Sequence, residues 1–294
     1  MGMNIDISKY EVTNGEYFDM GKRSTKPDFS ISKSESKKII KRNVKEIADF
    51  QERMFANQKR AALVVFQAMD AAGKDGTIER LVTGVNPQGV QVSAFKAPTP
   101  LELRHDFLWR IQLKLPPRGI IGVFNRSHYE EVLVVRVHPS YLLPQDIPGI
   151  KSTEDVTDAL WERRFRMIRN FEQNLVDTGT MVLKIFLQIS KEEQKRRLLD
   201  RIAEPDKHWK FNLSDVTERL HWNDYMVAFE EAIKNTATEG APWYVVPGDD
   251  KYAARAIVTT IVEKLFSKHK EAWPDAGANK RDEIDAGEEI LENE

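Results

Sequence analysis

Residues 61–77 constrain this chain more than any other stretch. Ala61-Ala-Leu-Val-Val-Phe66 is a short apolar run of strand-forming residues. It enters a loop of small residues that ends Gly73-Lys74, and helix-compatible sequence follows from Asp75. Strand, Gly-containing loop and helix in that order make a phosphate cradle. Backbone N–H groups at the helix start and one lysine hold the anionic oxygens. The pattern departs from G-x-x-x-x-G-K-[ST] at both ends. Ala68 stands at the first glycine, and Asp75 stands where a metal-binding hydroxyl belongs. Thr77 is close but out of register. The bland alternative is a strand-to-helix turn with an ordinary lysine. Asp70, a carboxylate inside the loop, argues for the cradle.

The same alternation runs along the chain. Strands are expected at Ala62–Ala68, Val90–Phe95, Gly119–Phe124, Thr180–Ile189 and Trp243–Pro247. Helices are expected at Ser36–Gln58, Asp75–Val85, Pro100–Leu113, His128–Arg136, Thr153–Asp177, Lys191–Ala203, Asp224–Ala237 and Lys251–His269. Trp161, Phe165, Ile168, Phe171 and Leu175 recur at helical spacing and predict a core-facing stripe. Arg163, Arg164, Arg166 and Arg169 then decorate the outer face. Short apolar strands alternating with helices imply an α/β fold, with a mainly parallel five-stranded sheet covered on both faces. Ligands of such sheets sit at the carboxyl ends of the strands, where Asp70–Lys74 and Asn125-Arg126 both fall.

Composition narrows the chemistry. With 294 residues and 41% hydrophobic content, the chain suits one large domain. The absence of cysteine excludes disulfides and thiolate metal sites and is compatible with a cytoplasmic location. No apolar run approaches the ~20 residues of a membrane span, and no signal sequence is visible. A net charge of −2 argues against a nucleic-acid-binding protein. Residues 1–35 read as a polar extension, 36–269 as the domain, and 270–294 as an acidic, disordered tail. Basic residues concentrate at 163–169 and 195–219.

The second motif follows the strand Gly119–Phe124. Arg126 can spread a guanidinium across phosphate oxygens. Asn125 occupies the position where a phosphate-transferring enzyme holds metal or a reacting group. Glu130 and Glu131 read either as acceptor or metal contacts or as the solvated first turn of a helix. His128 reads as a structural hydrogen-bonding residue.

The chain here resembles the polyphosphate kinase type 2 family. The resemblance rests on Met69-Asp-Ala-Ala-Gly-Lys-Asp-Gly-Thr77, Gly84-Val-Asn-Pro-Gln-Gly89, His105-Asp-Phe-Leu-Trp-Arg110, Phe124-Asn-Arg-Ser-His-Tyr-Glu130 and Val134-Val-Arg-Val-His138. It continues through Lys207-His-Trp-Lys-Phe211, Trp222 with Asp224-Tyr225, Ala241-Pro-Trp243 and Asp249-Asp-Lys251, in order over most of residues 60–268. It implies a three-layer α/β/α P-loop kinase fold with a helical lid at about 196–222. It also implies Mg²⁺-dependent phosphoryl transfer between inorganic polyphosphate and nucleotides, with Mn²⁺ able to stand in.

On that reading Lys74 and the amides of Ala71, Ala72, Gly73 and Asp75 hold donor phosphates. Asp70 and Asn125 bind metal, and Arg126 steadies the transferred group. Arg197, Arg201, Lys207 and Lys210 form a basic track for polyphosphate. Gly84, Asn86, Glu130, Glu131 and Arg136 are expected at the nucleotide. Asn125, where many relatives carry Asp, is familiar in the branch that accepts monophosphates as well as diphosphates. The resemblance suggests a homodimer or homotetramer, with 36–58 contributing to assembly. Two other readings stay in view. One is an ATP-dependent nucleoside monophosphate kinase, against which Ala68 and Asp75 count. The other is a non-catalytic polyanion-binding module, which needs no carboxylate beside the phosphates.

Overall fold

The structure is a computed structural model that describes residues 3–294. Its elements run β1 (Glu11–Val12), α1 (Lys33–Asn57), β2 (Ala61–Ala68), α2 (Lys74–Val82), β3 (Val90–Ala94), α3 (Trp109–Gln112), β4 (Ile121–Asn125) and α4 (Val134–Val137). They continue with α5 (Asp158–Asp177), β5 (Thr180–Gln188), α6 (Lys191–Ala203), α7 (Leu213–Thr217), α8 (Trp222–Thr236), β6 (Trp243–Pro247), α9 (Lys251–Lys268) and α10 (Gly277–Glu292). The strand order is β1-β6-β5-β2-β4-β3, parallel throughout except at β1–β6.

Crossover handedness explains the layers. From β2 the chain travels through α2 past β4 to β3. From β4 it travels back through α5 past β2 to β5. Right-handed crossovers in opposite directions put their helices on opposite faces of the sheet. Accordingly α1, α2 and α9 pack together, while α5 packs with α8 and against β5. The central strand β2 pairs with β4 on one side and β5 on the other, and Leu63 to Phe66 are fully buried. Both neighbouring strand ends carry the site residues, so the sheet register brings Ala68 and Asn125 to one edge.

The sheet has six strands rather than the five expected. The extra one, β1, is two residues long and antiparallel to β6. Ile5, Tyr10, Val12, Phe18, Met20 and Ile31 are buried, so the described part of the first 35 residues contributes to the core instead of trailing as a polar extension. Two expected helices also shorten. Pro100–Leu113 resolves into a 3₁₀ turn at Glu102–Arg104 and the four-residue α3. His128–Arg136 resolves into a 3₁₀ turn at His128–Val132 and α4. The acidic tail carries α10 where no structure was expected, and none of its residues with described burial is buried.

α1 is started by side chains and ends on backbone, the Gln58 N–H bonding the Met54 carbonyl. Ser32 and Glu35 form a reciprocal capping box, which satisfies N–H groups the helix cannot. Its apolar face, including Ile39, Val44, Ile47 and Phe50, is spent inside this chain, with Phe50 stacked on Phe266 of α9. Among the described residues, no helix is long and apolar enough to cross a membrane.

One polar network lies inside the apolar core. Lys184 on β5 reaches Glu172 on α5 at 2.6 Å and the Thr236 carbonyl at 2.7 Å. Glu172 also accepts from the Tyr129 hydroxyl at 2.8 Å, and His128 lies 3.3 Å away. His128 is thus the structural residue expected from the sequence. Burial alone pushes the Glu172 carboxyl up, but Lys184 and His128 outweigh it and hold it below its ordinary value. Breaking a buried pair leaves an uncompensated charge. Lys184→Met should therefore cost about 3–5 kcal/mol of stability, read as a lower urea midpoint at neutral pH. Because the folded Glu172 pKa is depressed, its contribution is present above its unfolded value and is lost as pH falls through the folded value. The unaltered protein should accordingly lose stability in that acid window.

Candidate active site

β2 ends at Ala68, and the chain turns through Met69–Gly73 into α2. Gly73 has φ +96°, a conformation that glycine adopts without a Cβ penalty. Ala71 holds φ +59° despite its side chain, a strained backbone of the kind found around ligands. The turn aims the first amides of α2 into the cleft. Lys74 folds back so that its Nζ donates to the Ala68 carbonyl at 2.9 Å. Burial pulls the Lys74 ammonium down from its ordinary value, and nearby Asp70 opposes that. The Thr77 hydroxyl donates to the Gly73 carbonyl four residues back at 3.0 Å, so its proton is spent within its own helix.

Arg197 on α6 holds this loop from behind. A guanidinium has five N–H donors, and those of Arg197 all meet acceptors. They reach Glu193 at 2.6 Å, the Ala72 and Ala71 carbonyls at 2.8 and 3.3 Å, and the Gly248 and Asp249 carbonyls at 2.6 and 3.3 Å. Gln194, one residue earlier, donates to the Asp70 carbonyl at 2.9 Å. Arg197 therefore lies behind the phosphate loop with no donor left for a phosphate. This differs from the track position expected of it.

The second strand end supplies the opposing group. Arg126 follows β4 with φ +63°, and its N–H donates to the Phe66 carbonyl across the parallel pair at 3.1 Å. That backbone turn swings its side chain over the loop. One Nη donates to Asp70 at 2.7 Å and the other to Glu130 at 3.3 Å. Glu130 first, then Asp70, raises the Arg126 pKa, while burial raises the Glu130 carboxyl. Asn125 donates its amide to Asp75 at 2.8 Å. With Asn at 125 the two side chains meet without like-charge repulsion.

Two cavities meet at the Asp70–Arg126 pair. One, of about 670 Å³, is floored by residues 70–76 and closed by Asn125, Arg201, Trp209 and Lys210. The other, of about 540 Å³, runs between Leu103, Phe107, Ile111, Val134 and Tyr141, with Glu130 and Glu131 on its wall. Asp70, Lys96, Arg126, Asn212 and Asp215 line both. The segment from α6 through α7 to α8 roofs the junction. Arg201 bonds Asp215 at 2.8 Å, and Lys210 lies 4.8 Å over the Trp209 ring. Burial, and then Asp70, raises the Asp215 carboxyl.

The structure thus brings together Asp70 to Asp75, Asn125, Arg126, Glu130, Arg201 and Lys210. Others lie elsewhere. Gly84 lies among α1, α2 and α9, and Asn86 caps the 3₁₀ turn at Pro87–Gly89 by accepting from Gln88. Neither lines the second cavity. Arg136 lies against the Trp161 and Phe165 rings, and Lys207 pairs with Glu204. Glu131 does reach the cavity wall, but it is bonded to Arg164 at 2.6 Å and to Gln145 at 2.8 Å. Arg164 is correspondingly buried rather than on the outer face of α5, and it stacks over Phe107. Lys96, Arg110, Asn212 and Asp215 were not visible as site residues in the sequence. Only the Asn212-x-x-Asp215 helix-start pattern could have drawn attention to two of them.

Comparison with known proteins agrees with this geometry. The Polyphosphate kinase 2 (PPK2) family profile matches residues 30–273. The chain is 46% identical over 283 residues to an ADP-polyphosphate phosphotransferase of Rhodopseudomonas palustris, covering 96% of this chain and 97% of the relative. It is 40% identical over 258 residues to an AMP/ADP-polyphosphate phosphotransferase of Meiothermus ruber, covering 88% and 87%. The crystal structure of Polyphosphate Kinase 2 from Arthrobacter aurescens TC1 superposes with a TM-score of 0.86 at 36% identity, covering 97% of this chain and 96% of that one. A strand-end phosphate loop opposed by an arginine, on a fold shared along nearly its whole length with these phosphotransferases, makes this chain a member of the polyphosphate kinase 2 family.

Proposed function

We propose that this polyphosphate-dependent nucleotide kinase moves a phosphoryl group reversibly between inorganic polyphosphate and both nucleoside monophosphates and diphosphates, AMP/ADP and GMP/GDP. The observation that carries the reading is the meeting of two unlike cavities at Asp70 and Arg126. A loop of amides with one lysine suits a chain of phosphates, and a cleft with apolar walls suits a base and ribose. The Meiothermus relative is named an AMP/ADP-polyphosphate phosphotransferase, which supports the broad acceptor range.

In this reading Lys74 and the amides of Ala71–Asp75 hold the donor's terminal phosphates, with Lys210 and Arg201 beside them. The acceptor's terminal phosphate oxygen attacks the donor's end phosphorus. The P–O bond to the penultimate phosphate breaks, and the shortened chain leaves with that oxygen's negative charge. Arg126 spans the transferred group, because its planar fork meets two equatorial oxygens at once. Such chemistry asks mainly for positioning and charge neutralisation.

The residues present fit Mg²⁺. That ion takes one or two carboxylates and completes its shell with water and substrate phosphates. Asp70 offers a second carboxylate oxygen beyond the one bonded to Arg126, and the Asn125 carbonyl has no partner among the described residues. Among those residues there is no group of three or more His, Cys, Asp or Glu that would hold a metal unaided. Bound there, Mg²⁺ neutralises phosphate charge as it develops.

The test supplies purified protein with Mg²⁺ and polyphosphate, and gives AMP, ADP, GMP and GDP in turn while nucleotide products are followed. Phosphorylated products from each acceptor are expected. Transfer to AMP from ATP but not from polyphosphate would overturn the donor assignment. Lys74→Ala and Asp70→Ala should each lower kcat at least about 100-fold, a loss of ~2.7 kcal/mol of transition-state stabilisation. Arg197→Lys, which keeps charge but loses the fork, should raise KM for polyphosphate while KM for the nucleotide stays level.

A further inference from the structure

A third cavity lies outside the site described above. It is a groove of about 860 Å³ between α1, α2 and α9. Its cations are Lys33, Lys37, Lys41 and Lys45 on α1, Arg80 on α2, and Lys251 and Arg255 on α9, against a single lining carboxylate, Asp49. The four α1 lysines recur every fourth residue, so they form one stripe along the helix. Over twelve residues that stripe spans about 18 Å. The stripe flanks the apolar face spent on α9, and Lys33, Lys37, Lys41 and Lys45 are all exposed.

A solvated basic helix face ordinarily carries its own acids at i±4. Here, among the described residues, none of the α1 lysines, nor Lys251 or Arg255, makes an ion pair with a carboxylate. Arg80 alone leans on its neighbour Glu79 at 3.4 Å. The Arg255 guanidinium is half-buried and has no hydrogen-bond acceptor among the described residues. Burial first, and then Arg80, pulls its pKa down. Cations collected without counter-charges repel one another, and that cost is relieved when an anion lies between them.

The groove also leads to the phosphate loop. α2 and α9 start at the carboxyl edge of the sheet, directly after β2 and β6. α1 starts there too, because it ends just before β2 begins. Arg255 reaches the first turn of α2 so closely that a Cβ on Gly76 would lie 2.5 Å from its Nη2. Gly76 itself lines the phosphate-loop cavity. Cations therefore continue from the loop past Gly76 and Arg255 into the α1 stripe.

We propose that this groove binds the distal part of a long polyphosphate donor, the phosphates that extend beyond those held at Lys74. The inference rests on the polyphosphate reading of the active site. It adds that the enzyme grips long chains at a second place and short chains only at the loop. A linear polyanion with a charge on every unit matches a stripe of evenly spaced ammonium groups. It needs no base-reading surface, and the floor offers only Ile40, Val44, Ala48 and Tyr252.

The experiment compares hexaphosphate with chains of several hundred phosphates as donors to the full-length chain. In the variant Lys37→Gln/Lys41→Gln/Lys45→Gln the changes are exposed and glutamine keeps helix propensity, so the fold is retained. KM for the long donor should rise about tenfold or more, while kcat and the KM values for hexaphosphate and nucleotide stay within about twofold. Direct binding of long polyphosphate should weaken, and the slope of log affinity against log salt should become shallower by about two to three. Lys38→Gln, on the same helix but outside the groove, should change neither. An unchanged KM for long chains overturns the proposal, and so does an equal rise for hexaphosphate. Loss of RNA binding with long-polyphosphate binding intact would make the groove a nucleic-acid site and overturns it as well. If the unaltered chain transfers nothing from hexaphosphate, the kinase reading fails and this one with it. If hexaphosphate transfer is intact but chain length makes no difference, only this one fails.

Discussion

A lysine and a glutamate withdrawn from water anchor the segment that follows β4. Lys184 sits on the strand beside β2, and Glu172 sits on the helix that covers it. Burying both ions is costly, and their attraction offsets the cost only if the remaining polar atoms are satisfied. They largely are. The Thr236 carbonyl takes one ammonium proton, and the Tyr129 hydroxyl bonds both Glu172 and the Thr236 hydroxyl, the latter at 2.9 Å. Trp243 on β6 closes the network onto Thr236 at 2.9 Å. Four elements and the segment after β4 are thereby fixed by one cluster. Tyr129 lies three residues from Arg126, so the guanidinium over Asp70 inherits its position from a pair buried in the core. That link allows Arg126 to keep a positive φ, which costs a non-glycine residue of order 1–3 kcal/mol.

The donor side is held by a different device. Its loop contains one residue in a strained conformation, Ala71, and three carbonyls that point away from the cleft. Arg197 and Gln194 bond those carbonyls, and both belong to α6. The same helix begins the roof over the cleft and carries Arg201, whose partner Asp215 lines both cavities. A displacement of α6 would therefore alter the loop geometry and the roof together. Arg197 reaches across to the carbonyls that precede α9, so the turn after β6 shares in the same coupling.

What the sequence reveals follows from which forces are local. Four of the five longer strands are legible because each is an apolar run bounded by polar residues, and β3 because Val90 and Val92 alternate with Gln91 and Ser93. Lys74, Asp70 and Arg126 are legible because strand–loop–helix geometry fixes them within a few residues. β1 escapes notice because two residues have no periodicity; it exists through pairing with β6. The helices expected at 100–113 and 128–136 fail because side-chain pattern cannot separate a 3₁₀ turn from an α-helix over so few residues. Arg164 misleads for a stronger reason. It stands beside Phe165 on a helix with an apolar stripe, and periodicity puts it outside. A buried carboxylate on another segment, Glu131, draws it inward. Arg197 is a cation in a basic run, and only the tertiary structure reveals that carbonyls already occupy its donors.

The distribution of charge then explains why a chain with net charge −2 can handle a polyanion. Asp70, Glu130 and Asp215 crowd the junction of the two cavities, where a metal ion and the acceptor's phosphates would meet them. Lys96 stands with them at the junction, and further cations with no carboxylate partner among the described residues lie along α1, on α9 and at Lys210. Repulsion between substrate phosphates and the central carboxylates is tolerable only when cations flank them. Arg126 supplies one, and Lys74, at the helix start, supplies the other. Moving the acids to the edge would free Arg126 from its partners, but it would leave no carboxylate for the metal. The separation of acids at the centre from lysines along the groove therefore reconciles metal binding with polyanion binding on one sheet edge.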